Sequence, residues 1–138
     1  LLTTATMYLF IPNQYYTFTK QSSRKTESKI LDTVMPSKAC DFLENNHIKG
    51  RIFNSINFGH YIAYRFYPEK RIFIDVRTDL YKEDFYKSYC SAQNYPVEWK
   101  TLKDKYNFNI AFLRHLSVGN ERLLRYLYNN KEIKEKSR

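Results

Sequence analysis

A chain of 138 residues, 43% apolar and 17% aromatic, is sized for one folded unit around one core, and two full-sized domains are excluded. With 3 Gly and 4 Pro it is neither collagen-like nor low-complexity, while 13 Tyr and 10 Phe supply a rigid, packable interior. The 23 Lys and Arg against 14 Asp and Glu give a net charge of +9, which attracts phosphates, nucleic acid or anionic lipid headgroups without choosing among them.

Charge is distributed unevenly along the chain. Leu1 to Thr19 carries none, and Lys20, Arg24, Lys25 and Lys29 then arrive together. The apolar opening up to Ile11 is shorter than the roughly 20 residues a bilayer crossing needs, and it lacks the basic start of a signal peptide. Tyr15 and Tyr16 follow it, at the place where aromatic residues mark a membrane interface. Residues 1–19 are therefore expected to be the tail of a transmembrane helix with its interface, the alternative being a buried strand or helix of the domain. Residues 20–35 read as a polar, basic connector.

The α/β domain is expected over residues 36–130. After Pro36, the residues Ala39, Cys40, Phe42 and Leu43 recur at helical spacing, which predicts a helix over 37–46. Arg51-Ile52-Phe53-Asn54 is a short strand pattern, and Gly59 to Phe66 reads as a short helix punctuated by Pro68. Arg71-Ile72-Phe73-Ile74-Asp75, β-branched and aromatic, is the strongest strand pattern in the chain. Two amphipathic helices are predicted next, over 83–93 and from Pro96 to Asn107, with Pro96 in a first turn. Asn109 to Leu113 reads as a buried strand and Leu123 to Tyr128 as a last helix, followed by a charged tail over 131–138. The order α, β, α, β, α, α, β, α implies an α/β fold: a small Rossmann-like parallel sheet of about three strands flanked by helices.

The densest polar cluster, Asp75-Val76-Arg77-Thr78-Asp79-Leu80-Tyr81, follows that strongest strand pattern, where open α/β sheets collect functional groups. Arg77 can bridge Asp75 and Asp79, so the same cluster also reads as a capped loop. Asp75 with Glu98-Trp99-Lys100 imitates a metal-dependent nuclease set, but that chemistry needs its second carboxylate on a strand, and Glu98 falls in a helical pattern. Cys40 and Cys90 form no metal or disulfide motif and read as buried thiols. His47, His60 and His115 share no ligand spacing. Phosphate-loop, dinucleotide, nucleophile-elbow and zinc-protease motifs are all missing, so no catalytic residue, metal or cofactor is assigned. The aromatics Phe42, Phe85, Tyr89 and Tyr106 fall on apolar stripes and are expected in the core rather than on a base-stacking surface.

Four blocks in order carry a resemblance: Pro36 to Leu43, Gly50 to Asn54, Phe58 to Ile62, and Tyr67 to Tyr81. They resemble the C-terminal extracytoplasmic domain of polytopic bacterial membrane proteins similar to GT-C type glycosyltransferases, the dolichyl-phosphate-mannose-protein mannosyltransferase group. In that family the last block reads Phe-Ile-Asp-Gly-Arg-x-Asp-x-Tyr. Here Val76 stands for its glycine, and His60 and Tyr64 replace a glycine and a tryptophan of the preceding block. The likeness spans about Pro36 to Leu113. It implies a domain truncated at both ends, because family members continue into a closing hairpin.

What the resemblance implies is a non-catalytic domain of a membrane glycosyltransferase-like protein that uses a lipid-linked sugar donor. It would be membrane-anchored on the periplasmic or extracellular face, with its own transmembrane region, the membrane surface and the lipid-linked sugar as partners. The family's motif positions fall on Asn54, Gly59, Tyr61, Asp75, Arg77, Asp79 and Tyr81, with Asp75 and Arg77 as the polar centre. The competing expectation is a soluble basic nucleic-acid-binding module in which the first residues form a core strand.

Overall fold

The computed structural model describes residues 5–11, 14–20, 35–114 and 120–130, with side chains from Met35 onward. The expected connector over 20–35 lies outside the described residues for all but its ends, as does the charged tail over 131–138.

Strands β1 (Ala5–Ile11) and β2 (Gln14–Lys20) form an antiparallel hairpin in continuous register from Ala5 opposite Lys20 to Ile11 opposite Gln14. Threonine and aromatic residues suit both to a pleated sheet. Helix α1 (Ser37–Asn45) follows, then β3 (Arg51–Asn54), a 3-10 turn (Ile56–Phe58) and α2 (Gly59–Phe66). A second 3-10 turn (Thr78–Leu80) leads into α3 (Glu83–Asn94), α4 (Pro96–Tyr106), β4 (Phe108–Arg114) and α5 (Asn120–Asn129). Pro96 opens α4, where its missing N–H costs nothing, and Asn107 ends it in the left-handed region at φ 54°. Glu83 and Asp84 occupy the first turn of α3, at the positive end of its dipole.

The chain is α/β, with a four-stranded sheet in the order β2-β1-β4-β3. Only β3 and β4 are parallel, and β1 joins β4 antiparallel. This departs from the expected all-parallel, three-stranded sheet in two ways. Residues 5–11, read as the end of a membrane helix, instead supply a strand hydrogen-bonded on both sides. Residues 71–75, read as the best strand, form none, because the backbone of Phe73 and Ile74 is bound by a side chain rather than by a neighbouring strand. Among the described residues no helix is long and apolar enough to cross a membrane.

Each sheet face buries its own cluster. Phe53, Ala111 and Leu113 meet Tyr89, Ala92, Trp99, Leu102, Leu123 and Leu127 of α3, α4 and α5 on one side. Ile52, Ile110 and Phe112 meet Ala39, Cys40 and Leu43 of α1 and Ile62 and Phe66 of α2 on the other. The period-2 alternation of β3 and β4 makes this division. One residue breaks it: Arg51 pairs with Phe108 but Ile52 pairs with Ile110, so Asn109 is extra and Phe108 turns onto the same side as Phe53. The bulge is pinned by the Arg51 N–H, which donates to Asn109 Oδ1 at 2.8 Å. Gly50, at φ 150°, leaves room for that oxygen, which a Cβ would meet at 2.7 Å.

Of the aromatics expected in the core, Tyr89 is buried, while Phe42, Phe85 and Tyr106 are half-buried and pack against the two clusters. Cys40 is buried as expected. Cys90 is only half-buried, because it sits on the flank of the α3 stripe.

Candidate functional site

The site is built outward from the end of β3. Asn54 is fully buried, and its carboxamide grips the segment that follows α2. Its Oδ1 accepts the Phe73 N–H at 2.9 Å, and its Nδ2 donates to the Ile74 carbonyl at 2.7 Å and to the Ser55 carbonyl at 3.0 Å. One side chain thus supplies the donor and acceptor that a strand neighbour would otherwise provide. Gly59, the first residue of α2, closes the other side. A Cβ there would lie 2.1 Å from the Ile74 carbonyl oxygen and 2.7 Å from Asp75 Cβ, so only glycine lets helix and segment approach this closely.

Asp75 emerges from this clamp with its side chain 2% exposed. Its Oδ1 accepts the Arg77 N–H at 3.0 Å and the Tyr81 hydroxyl at 3.2 Å. Its Oδ2 accepts Arg77 Nε at 2.9 Å and Nη2 at 2.5 Å. The Tyr81 oxygen in turn accepts the Asp75 N–H at 3.1 Å, and its ring stacks on Phe85 at 5.2 Å. The Arg77 side chain stays 66% exposed.

The charges follow from these bonds. The Arg77 guanidinium, against the opposing penalty of burial, holds the Asp75 carboxyl below the usual carboxylate range, and Asp75 raises the guanidinium in return. Burial pushes the Tyr81 hydroxyl up, so it stays a neutral donor. An ionised carboxylate whose two oxygens take four hydrogen bonds is a poor proton carrier. The cluster is suited to shaping a loop and presenting a guanidinium, not to acid–base catalysis.

Of the residues singled out in the sequence, Asn54, Gly59, Asp75, Arg77 and Tyr81 come together. Asp79 is exposed in the 3-10 turn and makes no bond to the cluster. Tyr61 is elsewhere, because helical spacing puts it beside Arg65, whose Nη1 donates to its hydroxyl at 3.3 Å. Arg65 also binds Asp41 at 2.8 Å and Glu44, joining α2 to α1. Glu98 sits in α4, so the nuclease-like set is not assembled. Among the described residues no group of acidic, His and Cys side chains could hold a metal ion.

Two groups next to the site escaped sequence reasoning. The Tyr89 hydroxyl accepts the Ile56 N–H at 3.0 Å, and Ser55 Oγ accepts both the Arg114 N–H at 2.8 Å and Asn120 Nδ2 at 2.7 Å. Tyr89 was legible only as a core aromatic, and a lone serine after a strand carries no motif. Comparison of the chain with family models, curated proteins and solved structures finds no match.

Proposed function

We propose that this chain is a non-catalytic extracytoplasmic domain of a membrane glycosyltransferase-like protein that uses a lipid-linked sugar donor. In that reading the parallel β3–β4 pair with residues 71–75 alongside corresponds to a small Rossmann-like sheet, and the catalytic carboxylate lies in membrane-side loops beyond these residues.

One observation carries the reading. Five of the seven residues behind the family resemblance, Asn54, Gly59, Asp75, Arg77 and Tyr81, come from separate segments and close into a single network around one loop, with Tyr61 and Asp79 outside it. That network spends its carboxylate on holding Arg77, which suits an element that positions an anionic group, such as the phosphate linking sugar to lipid, rather than one that transfers the sugar. The net charge of +9 favours an anionic membrane surface in the same way.

The test is glycosyl transfer from labelled polyprenyl-phosphate sugars in membranes that contain the gene's complete product. Arg77→Ala should lower transfer at least severalfold at unchanged protein abundance, and the 138-residue chain alone should transfer nothing. Full activity of Arg77→Ala, or transfer by the isolated chain, would overturn the proposal.

A further inference from the structure

A second polar feature lies at the opposite end of α3, a helix of 12 residues and so roughly 18 Å long, from the Asp75–Tyr81 cluster. Where α3 turns into α4, a groove of about 460 Å³ opens against α5. This is within the size range of small-ligand pockets. Asn94 and Pro96 line it from the α3–α4 junction, and Glu121, Arg122, Arg125, Tyr126 and Asn129 line it from α5.

Unlike Arg71 and Arg114, which also lack a carboxylate partner among the described residues but do not line this groove, Arg122 and Arg125 line it together. They are three residues apart on one helix and therefore neighbours on its surface. Arg65 and Arg77 are each committed to carboxylates, and Arg51 donates to the Tyr106 carbonyl. Arg122 and Arg125 have no carboxylate within ion-pair distance among the described residues, even though Glu121 lines the same groove. Two guanidiniums without a carboxylate partner among the described residues bring two positive charges to one groove, and each is a planar fork that matches phosphate oxygens. The remaining lining consists of two carboxamides, a phenol, one carboxylate and the apolar ring of Pro96. These are donors and acceptors suited to hydroxyl groups, not to a second anion.

We propose that this groove binds a small phosphate ester of a polyhydroxyl compound. Arg122 and Arg125 take the phosphate, and Asn129, Glu121 and the Oδ1 of Asn94, whose Nδ2 donates to the Cys90 carbonyl at 2.9 Å, take the hydroxyls. The assignment does not depend on the membrane reading above, since it rests on different residues at a different end of the domain.

The test uses the 138-residue chain with glucose 1-phosphate, inorganic phosphate and glucose as probes, followed by calorimetry and by amide NMR shifts. The ester should bind more tightly than either of its halves. The double variant Arg122→Glu/Arg125→Glu should weaken it at least tenfold. Both positions are exposed, so the fold should be kept. A control of equal charge change at exposed sites elsewhere, Lys38→Glu/Lys100→Glu, should alter binding less than twofold. An equal loss in the control would reduce the effect to the overall charge and overturn the site. No binding of the ester at concentrations on the order of 10 mM, or phosphate alone binding as well as the ester, would overturn it too. So would binding of a short oligonucleotide through the same arginines when the ester does not bind.

Discussion

The Asn54 carboxamide donates to the Ile74 carbonyl at 2.7 Å, and through this bond a single buried side chain holds the polar loop against the edge of the sheet. Everything that makes Asp75 and Arg77 a site depends on that segment staying in place.

Asn54→Ala should therefore destabilise the domain by about 2–3 kcal/mol, since it strands buried N–H and C=O groups of residues 73 and 74. Urea unfolding followed by Trp99 fluorescence measures this. A change below half a kcal/mol would mean that the segment is held by its apolar residues alone.

Gly59→Ala tests steric closeness rather than backbone freedom, because Gly59 already has helical angles, φ −54° and ψ −50°. Alanine is the better helix former, yet its methyl would collide with the Ile74 carbonyl. Destabilisation of about 2–3 kcal/mol is expected, the cost of forcing atoms into a packed contact. A stabilised variant would show that α2 and the segment slide apart freely.

The depressed Asp75 carboxyl makes stability depend on pH in a defined sense. Its folded-state value lies below the ordinary carboxylate value, so the folded state binds this proton less readily than the unfolded chain does. The resulting stabilisation is complete above about pH 4–5 and is lost as the pH falls through the folded-state value. Urea melts of the wild type and Asp75→Asn across acid pH should converge as the pH drops. The gap at neutral pH should be on the order of 2 kcal/mol, because one buried carboxylate loses charged bonds while Arg77 keeps solvent contact. A gap that does not change with pH would rule out the carboxylate as its source.

The two thiols should react in order. Burial pushes Cys40 up to about 12, and its side chain is closed to solvent under α1, whereas Cys90 is half-buried. A disulfide reagent near pH 8 should label Cys90 first, with Cys40 following only at the rate of unfolding. Simultaneous labelling would mean that α1 opens independently of the sheet.

Much of this architecture was legible beforehand. The spans of α1, α3 and α4 followed from apolar stripes and from Pro96, and β3 was read to its residues. The errors share one cause, since apolar and β-branched runs report burial but not who supplies the hydrogen bonds. Residues 71–75 have the composition of a strand, yet a carboxamide satisfies their backbone. Residues 5–11 are apolar or aromatic but for Thr6, so helix and strand could not be separated by period. Within the site, the bond between Asp75 and Arg77 was foreseeable from their spacing, whereas Tyr61 shared a motif with them but is turned toward Arg65 by the helix. The Arg122 and Arg125 pair carries no motif, and nothing in a sequence says which arginines find carboxylates.

The extra residue in β4 has a consequence for how this chain can change over time. Because Asn109 is the residue that lets Phe108 face the α3–α5 side while Ile110 faces the α1–α2 side, a single-codon deletion or insertion between Ile110 and Arg114 would turn the residues beyond it onto the wrong faces, whereas loss of Asn109 itself would leave Phe108 and Ile110 on the sides they already occupy. Length variation should be confined to the connections between elements and to the Asn109 bulge, and the rest of β4 should behave as the fixed ruler against which the two helical layers are measured.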